Sequence, residues 1–302
     1  MSSIPETQAL PLHEAAKRMG VNFKEANSPA DKTVRANGLE FHYLQWGDPK
    51  KPKLLMLHGV AQQAHSWDFV SLALSDRYCV IALDQRGHGD TQWPSDHDYS
   101  AEAQQRDLDA VIPALGLKGF ILVAHSMGGR NSYVFTSRHL DLVKALVIVD
   151  TGPGGVRTGS QRIRRFVTLP DELDSYEEFA ERVKGYTGRP TWMVHGSLQH
   201  SIKRLPNGKW TWKYDKAIRS PDFKPQNWPP ERLWAALEKI KCPTLVVRGA
   251  NTDVLSEETF QRMLEVVPGA KGATIAKAGH LVAGDNPSGF LEALEPFLKS
   301  AA

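Results

Sequence analysis

The chain has 302 residues, 41% of them hydrophobic and 24% charged, which is material for one large α/β domain or for a core carrying one insertion. A formal charge of +3 excludes the strongly basic surface of a nucleic-acid or membrane-surface binder. The N-terminus lacks the apolar segment of a secretory signal, and no run approaches the ~18 apolar residues that would span a bilayer, so the expectation is a cytoplasmic protein.

In chain order, residues 1–34 read as a polar N-terminal extension with one amphipathic piece, "LHEAAKRM". Asn37-Gly38 between alternating runs predicts a hairpin with a type I′ turn. From residue 53 the pattern becomes strand, turn, helix, repeated. The strand candidates are "KLLMLHG", "YCVIALD", "GFILVAH", "VKALVIVD", "CPTLVVRG" and "GATIAKAG". Each is a short, near-continuous apolar run, as parallel strands covered on both faces require. Helices are expected at 66–75, 101–114, 127–138, 256–266 and 287–299, with Ser66, Ser100 and Ser256 as N-caps. Cys79 and Cys242 flank two of the strands and read as free thiols. This alternation predicts a layered α/β fold with right-handed crossovers.

The alternation breaks over 153–235, which reads as a cap inserted after the strand ending at Asp150. The core then comprises 35–152 and 236–302. The inserted stretch holds a basic run, a helix opened by the capping box Ser175-x-x-Glu178, a helix near 190–203, and a hairpin turning at Asn207-Gly208. Trp192, Trp210, Trp212, Trp228 and Trp234 also lie there. An aromatic cap of this kind is expected to line an apolar pocket, with Trp192, Trp210, Trp212 and Trp234 as candidate lining residues.

Chemistry concentrates at "VAHSMGG", residues 123–129. A strand running straight into a helix through a sharp turn exposes the Ser126 hydroxyl at the carboxyl edge of the sheet. Gly128 and Gly129 supply the small neighbours such a turn needs, although Ala124 stands where the usual pattern has glycine. Upstream, His58-Gly59-Val60 occupies the place of an oxyanion-hole loop, so the backbone N–H groups of Val60 and Met127 are the candidate donors. The sets "HGSLQH" (His195, His200) and "SDHDYS" (Asp96, His97, Asp98) lack coherent ligands, and no metal is expected. "GPGG" at 152–155 is not followed by Lys-Ser/Thr, which excludes a P-loop. Arg157, Arg162, Arg164 and Arg165 read as a solvated helix face, or else as an attractor for a substrate carboxylate.

In combination, "LHG", "DQRGHG" (84–89), "HSMGG", "RGANTD" and "AGH" resemble the α/β-hydrolase family, in its order, over roughly residues 35–302. The resemblance implies a mostly parallel eight-stranded sheet flanked by helices, and a catalytic triad in the order Ser, Asp, His. It puts the base at His280 in "KAGHLVAGDNP" and the acid at Asp253, after the next-to-last strand. Asp150 occupies a position that some relatives use for the acid, and is read here as capping the following loop. Asp285 lies close to His280 in sequence and is not favoured. His58 and His88 accompany turn glycines and are expected to order loops, and His125 to point into neighbouring packing.

The function these residues imply is a serine hydrolase cleaving a carboxylic ester or lactone of small to medium size, through an acyl-enzyme and with no cofactor. A carbon–carbon bond hydrolase of ring-cleavage products, a cofactor-independent oxygenase, or a small-molecule receptor on the same fold are the alternatives. The expected partner is a small-molecule substrate, with no nucleic acid and no membrane.

Overall fold

The computed structural model describes residues 9–224 and 227–301. Ten strands are found among them: β1 (Ala30–Ala36), β2 (Leu39–Trp46), β3 (Lys53–Leu57), β4 (Cys79–Leu83), β5 (Phe120–His125), β6 (Val143–Val149), β7 (Ile202–Arg204), β8 (Trp210–Trp212), β9 (Thr244–Gly249) and β10 (Lys271–Ile275). Eight of them form one sheet in the order β1-β2-β4-β3-β5-β6-β9-β10, and β7 and β8 form a separate hairpin. β1 and β2, and β2 and β4, pair antiparallel; every other pair in the large sheet is parallel. This is the mostly parallel eight-stranded sheet that the family resemblance implied, within the layered α/β fold that the alternation predicted.

Side chains of a strand alternate between faces, and the core follows that period. Leu54, Met56, Val80, Ala82, Ile121 and Val123 face one layer, beneath helices 68–74 and 287–301. Leu55, Leu57, Ile81, Leu83, Leu122 and Ala124 face the other, beneath helices 101–114, 126–138 and 257–266. Each fully buried Leu or Phe contributes roughly 1.5–3 kcal/mol, so the two-sided burial explains why these strands are apolar without a break.

Asn37 and Gly38 both take positive φ, as a type I′ turn requires. Ser100 and Ser256 cap their helices by accepting the Ala103 and Thr259 N–H groups, each at 3.1 Å. Ser66 does not. A single 3₁₀ turn (64–67) comes first, capped by Gln63, whose Oε1 accepts the His65 N–H at 2.6 Å. The α-helix therefore starts at Asp68.

Between β6 and β9 lie helices 157–167, 176–187 and 191–201, the β7–β8 hairpin, and helices 216–219 and 230–237. Val167, Phe179, Leu198 and Trp212 belong to a hydrophobic cluster of their own. Helix 230–237 is different: Leu233, Ala236 and Leu237 pack into the layer beneath the sheet, together with Trp228. The N-terminal segment is folded onto the core as well. Ala16 and Val21 are buried, and Asn27 Nδ2 donates to Ser75 Oγ at 2.9 Å. The Arg18 guanidinium lies 5.1 Å over the ring of Trp192.

Candidate active site

Because β3, β5, β6, β9 and β10 run parallel, the loops after them meet at one edge of the sheet, where open α/β sheets bind ligands. β5 passes directly into helix 126–138 through Ser126, which has φ of 53°. Holding a non-glycine residue there costs on the order of 1–3 kcal/mol, and the packing around it shows what enforces it. A Cβ on Gly128 would lie 2.6 Å from the His58 carbonyl, and one on Gly129 would lie 2.5 Å from Thr151 Cγ2. Ala124, in the usual glycine position, is fully buried and its methyl fits the layer beneath the sheet.

His280 follows β10, and its Nε2 lies 3.0 Å from Ser126 Oγ. Its Nδ1 lies 2.8 Å from Oδ2 of Asp150. The pair fixes the tautomer: Nδ1–H donates to the carboxylate, leaving Nε2 to accept from the serine hydroxyl. Asp150 is fully buried at the end of β6, with φ of 49°. Its carboxylate also accepts the Gly249 N–H at 2.9 Å and the Thr252 hydroxyl at 2.6 Å. A buried carboxylate needs such donors to stay charged.

The carboxylate that meets His280 is thus Asp150, whereas the family resemblance put Asp253 there. Asp253 does not meet His280; it accepts two hydrogen bonds from Arg162, at 2.7 and 3.0 Å. The Arg162 guanidinium holds its carboxyl below the usual carboxylate range. The reason is the inserted helix 157–167, which lies so close to the 250–255 loop that a Cβ on Gly159 would sit 2.1 Å from the Asp253 carbonyl. Asp285 is engaged by Arg189 at 2.6 Å and accepts the Gly279 N–H at 3.0 Å, which orders the turn before His280. Of the other basic residues, Arg164 donates to the carbonyls of Ile218 and Phe223, each at 3.0 Å. Arg157, Arg162 and Arg165 are exposed, as a solvated face requires, while Arg162 and Arg164 also tie the inserted segment to its neighbours.

The Met127 N–H lies in the first turn of its helix, where no intrahelical acceptor exists, and the Val60 N–H belongs to the facing loop. Among the described residues neither has a backbone acceptor outside helices and strands. Gly59 brings that loop close: a Cβ there would lie 3.0 Å from Ser126 Cβ. His58 is fully buried and holds the loop, accepting the Gln85 N–H on Nε2 at 2.9 Å and donating Nδ1–H to the Gly59 carbonyl at 2.7 Å.

His125 is buried and packs against the His280 ring. It lines the same cavity, with Nε2 2.7 Å from the His280 carbonyl and Nδ1 2.8 Å from Gln62 Oε1. Gln62 Oε1 also accepts the Gly59 N–H at 2.7 Å. His125 and Gln62 thus connect the loop of Gly59 to the loop of His280, a link that nothing in the sequence pattern marks.

The cavity above Ser126 and His280 has a volume of about 250 Å³. Val60, Ile163, Phe166, Trp192, Trp212 and Leu281 give it apolar walls, and Leu10 and Leu12 of the N-terminal segment reach it too. Trp210 and Trp234 are not among its lining residues. Trp210 packs edge-on against Tyr176 inside the inserted cluster, and Trp234 lies beneath the Arg262 guanidinium.

Three histidines near this edge carry a consequence for folding. Burial pushes His88 down to about 3 from 6.5, and burial likewise lowers His58 and His125. As pH falls through 6.5, the unfolded chain takes up protons that the folded chain refuses, so the stability present above 6.5 is lost toward about 3. Each such histidine steepens the loss by up to about 1.4 kcal/mol per pH unit. Urea unfolding midpoints are expected to drop between about pH 7 and about pH 5; a flat profile across that window contradicts the neutral assignment.

The model of the alpha/beta hydrolase family matches residues 54–293. An esterase of Mycobacterium tuberculosis is 27% identical over 289 residues, covering 93% of this chain and 92% of its own. Its crystal structure superposes with a TM-score of 0.79 at 25% identity, covering 99% of this chain and 100% of that one. A 2-hydroxy-6-oxo-6-(2'-aminophenyl)hexa-2,4-dienoic acid hydrolase of Metapseudomonas resinovorans is 26% identical over 291 residues, covering 93% of this chain and 95% of its own. With the family model spanning most of its length and the sheet in the matching topology, this chain belongs to the alpha/beta hydrolase family.

Proposed function

We propose that the protein is a serine hydrolase acting on a carboxylic ester or lactone of small to medium size with an apolar acyl group. The observation that carries this reading is the relay Asp150–His280–Ser126 at the floor of an apolar cavity. The inserted segment acts as a cap that shapes the acyl site through Ile163, Phe166, Trp192 and Trp212.

In the first half-reaction His280 Nε2 takes the Ser126 proton as Oγ attacks the carbonyl carbon. The carbonyl π pair moves to oxygen, and the resulting oxyanion accepts from the Val60 and Met127 N–H groups. Asp150 stabilises the imidazolium and keeps its tautomer. Collapse breaks the C–O bond, and His280 Nε2–H protonates the departing alkoxide. In the second half-reaction His280 removes a proton from water, whose oxygen attacks the acyl-enzyme, and the acid leaves as Ser126 regains its proton. The esterase named above supports this reading. The carbon–carbon hydrolase named above favours a second one, in which the same relay cleaves a vinylogous diketone.

A fluorophosphonate probe tests the nucleophile directly. Mass spectrometry is expected to find the adduct on the peptide containing Ser126, and Ser126→Ala protein is expected to stay unlabelled. Labelling elsewhere, or none in protein that turns over p-nitrophenyl esters, would defeat the assignment. Turnover of vinylogous diketones without ester turnover would select the second reading.

A further inference from the structure

His65, Asp68 and His200 meet on the wall of the cavity, away from the relay. His65 lies in the 3₁₀ turn after the Gly59 loop and Asp68 opens the helix that follows, so both belong to the core. His200 is in the last turn of helix 191–201, in the inserted segment. The imidazoles of His65 and His200 stack with centroids 3.5 Å apart and planes 15° from parallel. His65 Nδ1 lies 2.9 Å from Asp68 Oδ2. One nitrogen from each ring and one carboxylate oxygen lie within 4.8 Å of one another. The "HGSLQH" stretch thus gains, from a distant part of the chain, the ligand set that its own sequence lacks.

This cluster is incompletely satisfied. Asp68 Oδ1 is buried and, among the described residues, has no hydrogen-bond partner, an unfavourable state for a buried carboxyl oxygen. A cation held by the two rings and the Asp68 carboxyl would give this cluster a partner it lacks.

We infer that His65, Asp68 and His200 form a binding site for one divalent transition-metal ion of the zinc class, bridging the core and the inserted segment beside the substrate cavity. Two imidazoles and one carboxylate suit zinc, cobalt, nickel or copper, whereas calcium and magnesium prefer sites made of oxygen ligands. Stacked rings direct their nitrogens side by side, so capture requires the His200 ring to swing out of the stack. His200 is half-buried and stands in the last turn of its helix, lining the cavity. Since His65 and His200 line the cavity that holds Ser126, an ion there ties the inserted segment to the core at the wall of that cavity.

The test uses the full chain, freed of metal by chelator dialysis and titrated with Co²⁺, whose visible ligand-field band reports nitrogen ligation without any activity assay. One Co²⁺ per chain is expected, displaced by Zn²⁺, with a rise in melting temperature on Zn²⁺ addition. His65→Ala and His200→Ala are each expected to weaken binding on the order of tenfold or more. Asp68→Asn, which keeps the shape, is expected to weaken it too and covers the case in which a histidine variant misfolds. Absence of saturable binding, or a band unchanged in the variants, overturns the site.

Discussion

Replacing Asp150 with Asn is expected to lower kcat/KM for an ester substrate by about 10⁴, while Asp253→Asn stays within a few-fold of the parent. The asymmetry follows from what each carboxylate faces. Asp150 receives His280 Nδ1–H at 2.8 Å and is fully buried. An amide there offers the imidazole either a donor or a weaker acceptor, so the ring loses both its tautomer and the charge opposite the developing imidazolium. Asp253 spends both oxygens on Arg162. Losing a partly exposed pair of this kind typically costs 0.2–1 kcal/mol, about the stability of a surface ion pair, and leaves the relay intact. Steady-state kinetics of the two variants, with matched thermal melts to exclude unfolding, separate the cases. Collapse in Asp253→Asn with retention in Asp150→Asn would return the acid to the position that family order suggests.

The two candidate carboxylates show which information a sequence holds. The central strands were legible because burial on both faces leaves a continuous apolar run; Ser126 stood out as a candidate at a strand-to-helix turn, and His280 only through the family resemblance. Asp150 and Asp253 stand in equivalent local settings, each just beyond a strand and next to small residues. What separates them is tertiary: a backbone at φ of 49° turns Asp150 toward His280, and an arginine from the inserted helix captures Asp253. Neither is written in spacing. The tryptophans show the same limit. Their content announces burial, but Trp212 reaches the cavity while Trp210, two residues away in the same hairpin, faces the interior of the inserted cluster. His65 and His200 illustrate the same limit, since each looks unpartnered until the fold stacks them.

Gly128→Ala carries the second large effect, and here a single methyl acts through the backbone. Its Cβ would sit 2.6 Å from the His58 carbonyl oxygen, 2.8 Å from Leu57 Cβ and 2.8 Å from the Leu57 carbonyl oxygen. Those atoms belong to the end of β3, pinned between β4 and β5, so the strand cannot yield alone. The His58–Gly59 loop must shift, and Val60 N–H moves with it. Losing one oxyanion donor costs about 2.7–4 kcal/mol of transition-state stabilisation, or 10²–10³ in kcat. The same overpacking is expected to cost roughly 1–3 kcal/mol of stability. Gly185→Ala separates the two effects: that glycine lies within helix 176–187 with nothing within 4 Å of its added Cβ. Alanine there is expected to raise stability by up to about 1 kcal/mol and leave turnover unchanged. For Gly128→Ala, kcat is expected to fall with KM nearly constant, because the lost hydrogen bond strengthens only as charge develops on the carbonyl oxygen. A folded Gly128→Ala enzyme with parental kcat would show that the loop does not supply the second donor.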